Sequence, residues 1–108
     1  MNLKNLARNL GLEDDEFLEI MELYIETSDS DFDKIQSAIN AGDAQTILEA
    51  AHSIKGASGN FGFKKAYEAA GKIELEARNG QIATIAETAK TLQNELLQIK
   101  SIISHQGN

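Results

Sequence analysis

The chain has 108 residues, 42% of them hydrophobic, a net charge of −7, and neither proline nor cysteine. Such a length and apolar content suit one domain with a modest core and exclude a disordered chain. The lack of cysteine excludes a disulfide framework and a thiolate metal site, and the acidic balance disfavours nucleic acid as a partner.

No apolar run approaches the roughly 20 residues of a membrane span, so no membrane insertion is expected. The first ten residues lack the basic-then-apolar layout of a signal peptide. A soluble, cytoplasmic protein is expected, with residues 1–108 as a single domain. Helix interiors reject proline, and a proline-free chain rich in Ala, Leu, Ile, Glu and Gln points to an all-α fold.

Leu3, Leu6 and Leu10 mark a short amphipathic helix that stops at Gly11. A second helix starts in the acidic cluster Glu13-Asp14-Asp15-Glu16, where negative charge complements the N-terminal dipole. Its apolar positions Phe17, Ile20, Met21, Tyr24, Ile25, Phe32, Ile35 and Ile39 keep one phase across Ser28-Asp29-Ser30-Asp31. That continuity predicts one long helix to about Asn40, ended by Gly42, rather than a break capped by Ser30. Asp43 caps a third helix whose inner face reads Ile47, Ala50, Ala51, Ile54, Ala57/Ser58 and Phe61, with Gly62 as terminator.

A fourth helix buries Ala66, Ala69, Ala70, Ile73 and Ala77, and Asn79-Gly80 closes it. Small residues on that face let it approach its neighbours closely. The last helix carries Ile82, Ile85, Ala89, Leu92, Leu96, Ile99 and Ile103, a seam spaced three and four apart, before a polar tail from His105 to Asn108. Four amphipathic helices joined by short turns predict an antiparallel four-helix bundle with a short extra N-terminal helix.

The run from Ala51 to Gly62 holds the residues with chemical potential. If the inner face of the third helix centres on Ile54, His52 lies about 160° away, facing out. Gly56 and Gly59 flank it within roughly 40° and Lys55 lies about 60° from it. Leu48, one turn earlier, is an apolar residue on the same outward face. Each glycine costs about 1 kcal/mol relative to alanine inside a helix, and clearance for a bulky group at His52 is one reason to retain them. The charge supports an anionic ligand: Lys55, Lys64, Lys65, Lys72 and Arg78 outnumber Glu68, Glu74 and Glu76 in residues 51–80.

Elimination narrows the chemistry of His52. Ser53 and Ser58 point elsewhere on the wheel, so no nucleophile–base pair forms. The only other histidine is His105, which leaves no metal cluster. No glycine-rich strand-to-helix loop is present to hold a nucleotide, so self-phosphorylation from ATP is not expected. A lone imidazole nucleophile beside a fixed positive charge remains, suited to accepting a phosphoryl group whose activation comes from a partner.

The pattern His52-x-x-Lys55-Gly56, small residues, then Phe61-Gly62, with Ile73-Glu74 and Ala77-Arg78 in the next helix, resembles the histidine-containing phosphotransfer (HPt) family. The resemblance implies a phosphorelay intermediate of two-component signalling, a phosphocarrier without a kinase site of its own. It makes His52 the phosphoacceptor, lets Lys55 stabilise the phosphoryl charge and has Gly56 provide clearance, a role that the wheel also gives to Gly59. Two roles are open to Glu74, orienting the imidazole or repelling the phosphate. Arg78, like Leu48, is a candidate partner contact, or else structural. The implied partners are response-regulator receiver domains, which bring the aspartate and Mg²⁺, and a hybrid histidine kinase is a further candidate. This chain itself would bind no cofactor and act as a monomer. The rival reading is a helical docking or dimerisation module without phosphorylation.

Overall fold

A computed structural model describes residues 3–106, with side chains from 5 to 104. The expectations for the side chains of Leu3 and His105, and for Gly107 and Asn108, lie outside the described residues. The described chain forms α1 (Leu3–Asn9), α2 (Asp14–Ala41), α3 (Ala44–Phe61), α4 (Lys64–Arg78) and α5 (Ile82–Gln106). No strand occurs among the described residues. The all-α expectation holds, and α2 runs unbroken through Ser28-Asp29-Ser30-Asp31 as its apolar phase predicts.

Local chemistry sets the helix ends. At the start of α2 the Glu13 backbone N–H donates to the Glu16 side chain at 3.1 Å, and three carboxylates occupy the first turn. Asp43 caps α3 by accepting from the Thr46 backbone N–H at 3.1 Å and the Thr46 hydroxyl at 2.6 Å. These bonds hold the exposed Asp43 carboxyl below its ordinary value. α2 and α3 end in glycines with left-handed backbone, Gly42 at φ +69° and Gly62 at φ +75°. In each case the next residue donates back into the helix, Asp43 to Ala38 and Phe63 to Ser58, both at 2.9 Å.

The turns are too short for anything but antiparallel neighbours. α3 packs on α2 and α4, α4 packs on α5, and α5 returns to α2, closing a four-helix bundle. α1 lies against α2, and the molecule measures 42 × 22 × 17 Å. Met21, Ile35, Ile47, Ile54, Ile73, Ile85 and Leu92 are fully buried. Each such side chain contributes about 1.5–3 kcal/mol through burial. The Tyr24 and Ser58 hydroxyls bond at 2.8 Å within this core, between α2 and α3. Burial pushes the Tyr24 phenol up, against the lowering effect of its bonds to Ser58 and Ser28. The Tyr24 ring also meets Phe61 edge-on and lies 5.2 Å from Phe63, a core residue absent from the sequence-derived inner faces. Among the described residues no helix is long and apolar enough to cross a membrane.

Candidate functional site

The face opposite Ile54 on α3 is exposed where the wheel places it. The His52 side chain is 70% exposed, while Glu74 beside it on α4 is 7% exposed. His52 Nδ1 lies 2.6 Å from Glu74 Oε2, and Lys55 Nζ donates to Glu74 Oε1 at 3.0 Å. Arg78 Nη2 stands 4.0 Å from Oε2, at the limit of an ion pair. One buried carboxylate therefore gathers three basic side chains at the seam between α3 and α4.

Burial alone would push the Glu74 carboxyl up. The hydrogen bonds from Lys55 and His52, together with their charges, outweigh it and hold the group below its ordinary value. An ionised carboxylate only accepts hydrogen bonds, so the short contact requires His52 Nδ1 to carry the proton. In the neutral ring Nε2 then holds the free lone pair, on an imidazole that is 70% exposed. Glu74 contacts Nδ1, the nitrogen nearer the backbone.

Lys55 takes Glu74 as its direct partner. Leu48 is half-buried against the core, so only part of it faces outward. Arg78 is exposed at the edge of the cluster. The two glycines separate in role. Nothing stands within 4 Å of a Cβ built on Gly56, which leaves open space beside His52. A Cβ on Gly59 would come within 3.1 and 3.3 Å of Tyr67 ring carbons. Gly59 thus also gives the Tyr67 ring room to lie against α3.

Three residues of α4 are absent from the sequence-derived site: Tyr67, whose ring faces the Lys55 ammonium, Gly71, which the Lys55 stem passes, and the exposed Leu75. Tyr67, Gly71, Glu74 and Arg78 recur at spacings of four, three and four, the stripe of one helix face. That period was the available signal. The alanines of α4 mark its inner face, and this stripe adjoins them.

The Hpt domain family's sequence model matches residues 19–102 of this chain. The protein belongs to the Hpt domain family. Its bundle is also similar to the crystal structure of histidine-containing phosphotransfer protein B from Pseudomonas aeruginosa. That match has a TM-score of 0.87 and 23% identity, over 98% of this chain and 92% of the other. No curated protein matches. As an Hpt domain the chain serves histidine phosphotransfer in phosphorelay signalling, as a phosphocarrier working with receiver domains.

Proposed function

We propose that His52 is the phosphoacceptor and that it exchanges the phosphoryl group with receiver aspartates through Nε2. The observation that carries this reading is the 2.6 Å contact between Nδ1 and the buried Glu74 carboxylate, with the ring otherwise exposed. In the accepting direction the Nε2 lone pair forms the N–P bond while the P–O bond to the aspartate breaks. The electron pair leaves with the aspartate carboxylate. The imidazole keeps its Nδ1 proton and becomes a phosphoimidazolium, whose positive charge faces Glu74. Transfer out reverses these steps.

Lys55 acts first on Glu74, holding the carboxylate ionised and in place, and its charge lies near the incoming group. Gly56 keeps the approach open. The Mg²⁺ that supports phosphoryl transfer belongs to the receiver. Glu74 is the carboxylate of this site, and Lys55 and His52 already engage its two oxygens, so the site offers Mg²⁺ no ligand set. The same reading makes the protein a cytoplasmic monomer that meets its receivers, including that of a hybrid histidine kinase, through the exposed face of α3. Leu48 and Arg78 lie on the rim of that surface.

Mixing the protein with a phosphorylated receiver and Mg²⁺ is expected to place acid-labile, base-stable phosphate on the chain. His52→Gln is expected to abolish it. Unchanged labelling of that variant would contradict the assignment.

A further inference from the structure

Lys55 reaches Glu74 along a confined path. Its ammonium lies 5.7 Å from the centroid of the Tyr67 ring while donating to Glu74 Oε1 at 3.0 Å. Its stem passes Gly71, where a Cβ would stand 3.6 Å from Lys55 Cδ, an ordinary contact distance. The Tyr67 ring lies over Gly59, close enough that a Cβ there would press into it. A lone ion pair holds a lysine weakly, because ordering the long side chain offsets the attraction. An aromatic face beside the ammonium shifts that balance. Tyr67 itself remains 43% exposed, so it is not a core residue.

We propose that Tyr67 is a positioning residue of the phosphotransfer site: seated over Gly59, it holds Lys55 on Glu74 Oε1 so that Oε2 stays available to His52 Nδ1–H. The two carboxylate oxygens then serve separate partners. A lysine released from the ring is free to move to Oε2, which Arg78 also approaches. Losing its acceptor frees the imidazole to adopt the other tautomer, in which Nε2 carries the proton and has no lone pair for attack. This inference rests on His52 being the acceptor, but the tautomer can be measured without any transfer.

The test uses the full chain as wild type, Tyr67→Leu and Tyr67→Phe. Leucine keeps apolar bulk over Gly59 and removes the π face, whereas phenylalanine keeps the face and removes the hydroxyl. Nitrogen-15 NMR of the unphosphorylated protein, with His52 signals assigned against His52→Gln, reports the Nδ1–H to Nε2–H ratio. A time course with a phosphorylated receiver and Mg²⁺ reports the transfer rate. Tyr67→Leu is expected to lower both by roughly two- to fivefold, an exposed cation–π contact expressed as an equilibrium. Tyr67→Phe is expected to match the wild type. Wild-type values in Tyr67→Leu, or equal impairment in Tyr67→Phe, would overturn the proposal. A shifted tautomer in Tyr67→Leu, combined with a wild-type protein that takes no phosphate, would support the positioning role and refute His52 as acceptor.

Discussion

Glu74 and Glu76 sit two residues apart on α4 and are almost equally buried. Two residues turn a helix by about 200°, so they face different helices and meet different chemistry. Glu74 faces α3, where it meets His52 and Lys55, with Arg78 of its own helix at the edge. Glu76 faces α5 and accepts from the Thr84 hydroxyl and, at 2.6 Å, the Thr88 hydroxyl. One carboxylate connects the interior to an exposed imidazole, while the other joins two helices through hydroxyls. Burial of an acid is common to both. The partners differ: Lys55 and His52 hold the Glu74 carboxyl below its ordinary value, whereas the Glu76 carboxylate meets only hydroxyls among the described residues.

Breaking the two carboxylates in turn should separate function from stability. Glu74→Ala leaves Nδ1–H and Lys55 without their acceptor, and its transfer rate is expected to fall roughly ten- to hundredfold. Glu74→Gln should lose less, because an amide oxygen still accepts from Nδ1–H. Glu76→Ala is expected to leave the rate per folded molecule unchanged and to lower stability by about 1–3 kcal/mol, through the stranded hydroxyl of the buried Thr88. Transfer time courses and urea melts on the same preparations check both halves. The reverse pattern would break the comparison.

Acid sharpens the same contrast with a smaller effect. Glu74 ionises more readily in the folded than in the unfolded chain, so folding disfavours its protonation. Its contribution to stability is complete above its ordinary value of 4.5 and is lost as pH falls through the lower folded-state value. The gap in melting temperature between wild type and Glu74→Gln should therefore narrow as pH falls below 4.5. A gap independent of pH would mean that the carboxylate charge contributes nothing there.

Gly56 gives the smallest effect, and here stability and function move in opposite directions. Alanine at this helical position meets nothing within 4 Å and should stabilise the fold by about 0.5–1 kcal/mol. The added methyl beside His52 should nevertheless slow transfer, which melts and time courses would show together. A stabilised variant with undiminished transfer would remove the clearance role.

The sequence was informative wherever one helix determined the answer. Periodicity placed α2 through its polar middle, and the wheel put His52 outside and Ile54 inside. Glycines with left-handed backbone marked the ends of α2 and α3. Contacts between helices were less legible. The HPt resemblance directed attention to Glu74, but only the packing of α4 on α3 shows which imidazole nitrogen it meets. Nothing in the sequence of α3 signals the Tyr67 ring over Gly59, because that ring comes from the next helix. Glu76 carried no signal of its own, since its threonine partners on α5 are ordinary helical residues in sequence.

The account depends on Glu74 holding Nδ1 and leaving Nε2 to react. The most direct test is the position of the phosphoryl group, read by phosphorus and nitrogen-15 NMR of the protein phosphorylated by a receiver under native conditions. The expected result is phosphorus bonded to His52 Nε2, with the proton retained on Nδ1. Phosphorus on Nδ1, or on any residue other than His52, would contradict it.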